Sequence, residues 1–139
     1  MPTERRAKAA DIDRLMDIRA AVRENILSDP LSVTRADYDR FVDQARVWVM
    51  EEQDLIVGFS ASDERDGTIW ALFVDPGREG RGIGSALLDL ACNDLRSDGY
   101  TRARLGTDPG TRADRLYRRL GWTDMGRDDS GEAVFERAL

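Results

Sequence analysis

The stretch Asp75-Pro76-Gly77-Arg78-Glu79-Gly80-Arg81-Gly82-Ile83-Gly84-Ser85 decides how the rest of the chain is read. Before it lies the apolar run Thr68 to Val74, which predicts a strand buried on both faces. After it, Ile83, Ala86, Leu87, Leu90, Ala91 and Leu95 recur at helical spacing and predict a helix over about 82–97, ended by Asp98-Gly99. The glycine-rich turn thus leaves a strand and opens a helix. The first turn of a helix has unpaired N–H donors and a positive dipole end, so successive amides there can converge on a phosphate. Glycines at 80, 82 and 84 remove Cβ atoms and let an oxyanion approach the main chain. Arg78 and Arg81 add charge suited to phosphate. The competing reading is an ordinary strand–helix loop, against which stand three alternating glycines beside two arginines.

Upstream, residues 4–8 read as a first strand. Ile12, Leu15, Met16, Ile18, Val22 and Ile26 then mark a helix over about 11–26, with Asp11 as its cap and Ser28-Asp29-Pro30 as its break. A second helix over about 34–45 starts at Thr34, with Asp37 three residues on as a short-acid capping box. Val47 to Met50 and Leu55 to Ala61 form a hairpin turned by Glu51 to Asp54, and Asp63 to Gly67 makes the next turn. Downstream come a strand from Thr101 to Thr107 and a helix over about 111–120. That helix turns Ala113, Leu116, Tyr117 and Leu120 inward and closes at Gly121. A last hairpin pairs Trp122–Met125 with Glu132–Arg137. The expected fold class is α/β: one domain, 1–139, on a single mixed sheet.

Composition narrows the chemistry. The chain has 139 residues and no histidine, which removes Ser-His-Asp and Cys-His arrangements. Zinc would be left with carboxylates and the one thiol, Cys92, so no metal is expected. Cys92 falls in an apolar helical pattern and reads as a buried core thiol. A net charge of -6 speaks against nucleic-acid binding. No apolar run approaches the roughly 18 residues of a membrane span, and no secretory signal is recognisable, so the expectation is a cytoplasmic protein.

The phosphate ligand is narrowed by what the turn lacks. A Walker loop needs a Lys followed by Ser or Thr, which is absent. A dinucleotide fingerprint is nearer, with Gly80-x-Gly82-x-x-Ser85, but that fold requires consecutive βαβ units and this chain offers one, preceded by antiparallel hairpins. The segment Ile69 to Pro76 followed by Gly80-Arg81-Gly82-Ile83-Gly84-Ser85-Ala86-Leu87-Leu88 resembles the acetyl-coenzyme A signature of the GCN5-related N-acetyltransferase (GNAT) superfamily. A second block, Ala113-Asp114-Arg115-Leu116-Tyr117-Arg118-Arg119-Leu120-Gly121-Trp122, resembles that family's final helix.

The resemblance implies a mostly antiparallel central sheet splayed between its fourth and fifth strands and flanked by about four helices. It implies acetyl-CoA as the acyl donor, with backbone groups of Leu72, Phe73 and Val74 holding the pantetheine arm as an added strand would. The turn Glu79, Gly80, Arg81, Gly82, Ile83, Gly84 and Ser85 would hold the pyrophosphate. The implied reaction is direct attack of a primary amine, on a small molecule or a peptide, with Tyr117 as general acid toward the departing thiolate. The alternative is a non-catalytic acyl-CoA sensor of the same fold.

Three positions depart from the family pattern. Glu79 stands where Gln or Arg is usual, with Arg78 beside it to offset the charge. Gly110 stands where many members carry Asn, and Thr68 where some carry a Glu that acts as base. Glu24, Asp66 and Asp108 are substitutes for that base, and the sequence does not choose among them. Glu24, Asn25, Asp29, Asp63, Glu64 and Asp66 point to a small cationic amine or polyamine as acceptor, with a peptide N-terminus or lysine side chain close behind. A homodimer is compatible with the sequence.

Overall fold

The computed structural model describes residues 2–22 and 33–139. The expected tail of the first helix, including Ile26, and the break at Ser28-Asp29-Pro30 lie outside the described residues. The elements are β1 (Thr3–Arg6), α1 (Ile12–Val22), α2 (Arg35–Asp43), β2 (Val47–Glu52), β3 (Leu55–Asp63), β4 (Thr68–Val74), α3 (Ile83–Ser97), β5 (Arg102–Thr107), α4 (Arg112–Arg119), β6 (Thr123–Arg127) and β7 (Ala133–Ala138). Seven strands form one sheet in the order β1-β2-β3-β4-β5-β7-β6. Every neighbouring pair is antiparallel except β4 and β5, which are parallel.

Local chemistry accounts for most boundaries. Thr34 caps α2: its side chain accepts from the Asp37 N–H while Asp37 accepts from the Thr34 N–H at 2.8 Å. The β2–β3 turn is tighter than the sequence suggests, because Glu51 and Glu52 remain in β2 and only Gln53 and Asp54 turn, both with positive φ (53° and 64°). Asp11 does not cap α1 directly. It lies in a 3₁₀ turn, Ala9–Asp11, and accepts the Lys8 N–H at 2.7 Å and the Arg5 guanidinium at 2.8 Å.

The two faces of the sheet are covered by different helices. Ile12, Leu15 and Ile18 of α1 and Tyr38 and Phe41 of α2 pack on Val47, Val49, Phe59 and Ala71. On the other face, Leu88, Ala91 and Leu95 of α3 and Tyr117 of α4 pack on Ile69, Ala103, Leu105 and Phe135. Each such side chain removed from water contributes about 1.5–3 kcal/mol.

Ile69 and Ala71 are two apart, yet they sit in opposite cores. A regular strand would put them on one face. The β3–β4 register explains this: it passes from Ala61↔Ala71 to Ser62↔Ile69, leaving Trp70 as an inserted residue, a β-bulge.

Two expectations are corrected. β4 is not buried on both faces, since beyond Ala71 its residues Leu72, Phe73 and Val74 are only half-buried. Their apolar character serves a cleft wall rather than a closed core. Leu120 lies past the end of α4 and is 39% exposed instead of facing inward.

Candidate active site

β4 and β5 share a single register pair, Thr68↔Arg104, at the start of β4. Beyond it the two strands part. The edge of β4 that faces β5 therefore keeps its N–H and C=O groups free of ladder bonds, while the opposite edge pairs with β3 through Leu72↔Ser60, Phe73↔Phe59 and Val74↔Gly58. A cleft of about 950 Å³ occupies the gap, within the range of small-molecule sites. Arg19 and Val22 of α1 line it on one side of the sheet, and the start of α3 together with α4 lines it on the other. It runs through the sheet.

The glycine-rich turn forms one wall. Asp75 ends β4 and anchors the turn, accepting from the Gly77 N–H at 3.4 Å and pairing with Arg14 of α1 at 3.0 Å. A short 3₁₀ turn, Pro76–Arg78, leads to Gly80 and Gly82, whose φ values of 80° and 83° are left-handed. A Cβ at either would touch nothing, so backbone conformation demands glycine there rather than space. Gly82 caps α3 with no side chain to bond the first-turn amides, and Ile83, Gly84 and Ser85 of that turn line the cleft.

The turn's charges are arranged differently from the sequence expectation. Arg81 makes two hydrogen bonds to Glu52 of β2, at 3.0 and 2.5 Å, and Arg78 pairs with the same carboxylate. The Arg81 bond, before the Arg78 charge, holds the Glu52 carboxyl below its usual range. Arg78 still lines the cleft, whereas Arg81 does not. Glu79 pairs with Arg112 at the start of α4, so its charge is met by Arg112 rather than by its neighbour Arg78. The remaining expected residues, Leu72, Phe73, Val74, Glu79, Gly80, Gly82, Ile83, Gly84, Ser85 and Tyr117, are all brought to this one cleft.

Tyr117 comes from α4, whose start is fixed by Thr111 accepting the Asp114 N–H at 3.3 Å. Its ring packs against Trp122 and Phe135, each 5.7 Å between centroids. Burial pushes the Tyr117 hydroxyl well above its ordinary value, so the group is a proton donor across the neutral range. Asp114, which the sequence reading passed over, is buried and supports this helix. It accepts from the Gly110 N–H and from Arg118, both at 2.7 Å. Burial alone would raise its carboxyl, but those two donors bring it below its usual range. Its signal in the sequence was the three-residue spacing from Thr111, the same as Thr34 to Asp37.

A family model described as an acetyltransferase (GNAT) domain matches residues 43–124, a span that includes both the glycine-rich turn and Tyr117. The chain belongs to the GNAT acetyltransferase family. Mycothiol acetyltransferase of Beutenbergia cavernae is 44% identical over 64 residues, which is 45% of this chain and 22% of that protein. The chain thus spans about a fifth of that relative's length. The PaiA N-acetyltransferase of Thermoplasma acidophilum, solved with coenzyme A, superposes with a TM-score of 0.82 at 13% identity, covering 100% of this chain and 99% of that one. YncA of Salmonella typhimurium, solved with acetyl-CoA, gives 0.81 at 20% identity, covering 100% and 94%. At those identities the likeness is one of fold.

Within this GNAT domain the departures from the family pattern have definite surroundings. Gly110 adopts φ 77°, left-handed, and its N–H is spent on Asp114. Thr68 lines the cleft, with its hydroxyl donating to Asp66 at 2.7 Å. Asp66 is thereby engaged as a turn cap and does not line the cleft, whereas Asp108 does. Glu24, Asn25 and Asp29 lie outside the described residues. Two carboxylates of the acidic turn that suggested a cationic acceptor are met by arginines: Asp63 by Arg65 within the turn, and Glu64 by Arg40 of α2 and Arg46. Among the described residues no cluster of three or more His, Cys, Asp or Glu can hold a metal ion, and no helix is long and apolar enough to cross a membrane.

Proposed function

We propose that this GNAT domain is an acetyl-CoA-dependent N-acetyltransferase acting on a primary amine of a small molecule or peptide. The observation that carries the reading is the cleft through the splayed sheet. It brings an unpaired β4 edge, a helix-start glycine turn and a buried tyrosine to one channel. Family membership and fold neighbours solved with coenzyme A or acetyl-CoA support it.

The residues present fit such a donor. Acetyl-CoA supplies a thioester carbonyl that an amine nitrogen can attack. Leu72, Phe73 and Val74 offer strand-like hydrogen bonds to an amide-bearing arm, as in β-augmentation. The amides of Ile83, Gly84 and Ser85 meet phosphate oxygens at the positive end of α3. A β4 N–H beside the bulge at Trp70 would donate to the developing oxyanion. Tyr117, kept protonated by burial, gives its proton to the leaving sulfur and recovers one from the attacking nitrogen.

Thermal unfolding with acetyl-CoA, coenzyme A, NAD and ATP tests the donor site without knowledge of the acceptor. A ligand at about 100 times its Kd stabilises by roughly 2.7 kcal/mol, a shift of several degrees for a domain this size. A rise confined to the coenzyme A compounds is expected, followed by free-thiol release with amines. A rise with NAD or ATP alone sinks the reading, and coenzyme A binding without turnover of any amine makes the protein an acyl-CoA sensor.

A further inference from the structure

The glycine-rich turn has little packing to give it a shape. Among the described residues, a Cβ at Gly77, Gly80 or Gly82 would meet nothing within 4 Å, and Gly80 and Gly82 hold left-handed φ values. Glycines leave a chain more conformational freedom than any other residue. Main-chain amides receive an anion well only when they are already held in place, since ordering them on binding costs affinity. The turn therefore needs an anchor other than packing.

Its anchors are ionic, and they come from distant elements. At the root, the Asp75 N–H donates to the Val57 carbonyl of β3 at 2.8 Å, and the Asp75 carboxylate pairs with Arg14 of α1. Further on, Glu52 at the end of β2 accepts two hydrogen bonds from Arg81 and pairs with Arg78. Glu79, between those two arginines, pairs with Arg112 of α4.

Glu52 differs from the other two carboxylates. Its side chain is 11% exposed, against 17% for Glu79 and 31% for Asp75, so its pairs are the least screened. It also grips two residues of the turn at once. Arg78 and Arg81 lie on either side of Gly80, and Arg81 directly precedes Gly82, the α3 cap. One carboxylate against two guanidiniums leaves a net positive charge beside the turn, so the clamp does not cancel the attraction for an anion. Arg81 does not line the cleft, and Arg78, which does, is held by the same carboxylate.

Glu52 itself lies outside the cleft lining, 26 residues before Arg78. We propose that Glu52 is a positioning residue of the donor site: through Arg78 and Arg81 it holds the turn in the shape in which the amides of Ile83, Gly84 and Ser85 receive the pyrophosphate. The inference rests on the acetyl-CoA reading above and deepens it by a residue outside both motifs.

Calorimetric titration with coenzyme A tests this without an acceptor or a working reaction. Glu52→Gln keeps the size and removes the charge, and is expected to raise Kd by about 10-fold. Arg81→Gln should raise it similarly. The double variant should lose no more than either single one, because both act through one contact. The exchanged pair, Glu52→Arg with Arg81→Glu, should recover part of the affinity. Asp94→Asn breaks the ion pair with Arg6, away from the cleft, and should leave Kd unmoved; it controls for a loss of stability alone.

An unchanged Kd in Glu52→Gln overturns the inference, and so does an equal loss in Asp94→Asn. Tighter binding in Glu52→Gln overturns it too, by making Glu52 a competitor that withholds the arginines from phosphate. Losses that add in the double variant make Arg81 a phosphate ligand instead. Should Glu52→Gln fail to fold, Arg81→Gln against the exchanged pair decides: recovery supports the clamp and further loss overturns it. A wild-type protein that does not bind coenzyme A overturns the acetyl-CoA reading itself.

Discussion

Tyr117 and Asp114 sit three residues apart on one short helix and are buried for different ends. Tyr117 is shifted by desolvation, so its folded value lies above the unfolded one of about 10. The stability it contributes is complete below about pH 10 and is lost as pH climbs toward the folded value. Tyr117→Phe keeps the ring contacts with Trp122 and Phe135 but removes the proton. The variant is expected to lose roughly 100-fold in kcat, to keep its acetyl-CoA thermal shift, and to show a shallower loss of stability in alkali. An unchanged kcat would remove Tyr117 from the chemistry. Asp114 runs the other way: its folded value is depressed, so its contribution is present above about pH 4 and lost as pH falls through the folded value. Asp114→Asn should flatten the acid limb of stability, and Asp114→Ala should cost about 1–3 kcal/mol by stranding the Gly110 N–H and Arg118. Urea midpoints at pH 3, 5 and 7 decide it, and an unaltered acid limb in Asp114→Asn would mean the carboxylate is not held as its partners imply.

At the scale of elements, the close seating of α3 on the sheet makes a second kind of prediction. Gly58 lies in β3 opposite Val74, and a Cβ there would come within 3.0 Å of both the Leu87 side chain and the Phe73 carbonyl oxygen. The side chain can yield, but the carbonyl belongs to the β4 segment proposed to hold the donor arm. Gly58→Ala is expected to cost about 1–3 kcal/mol and to raise KM for acetyl-CoA. Gly77→Ala, where nothing lies within 4 Å, serves as the control. If Gly58→Ala loses stability with KM unmoved, β4 is not part of the donor site. The elements themselves were legible because their signals are local: the Thr34–Asp37 box, the glycines before α3, and the apolar run Ile69 to Val74 of β4 all act within a few positions. What was not legible depends on partners far along the chain. Arg78 and Arg81 find Glu52, 26 and 29 residues earlier, and no pattern around the turn announces it. The half-exposure of β4 was missed for a related reason: an apolar run looks the same whether it faces a core or a cleft.

For the whole molecule, the one thiol makes a gauge of opening. Cys92 sits in the α3/α4 core, 1% exposed, and burial pushes its thiol up, outweighing the opposing Arg137 charge. That suppresses the thiolate a disulfide reagent needs. Native protein should therefore leave Ellman's reagent unconsumed while denatured protein titrates one thiol at once. If labelling requires the core to open globally, then acetyl-CoA at about 100 times its Kd, binding only the folded form, should slow it by about 100-fold. Isoamylamine at the same multiple of free concentration, lacking the donor's phosphates, should not. Rapid labelling of the native protein would show that α3 or α4 opens locally without the sheet. Slow labelling that acetyl-CoA leaves unchanged would show that the cleft does not bind the donor, and this conclusion would need neither an acceptor nor a working reaction.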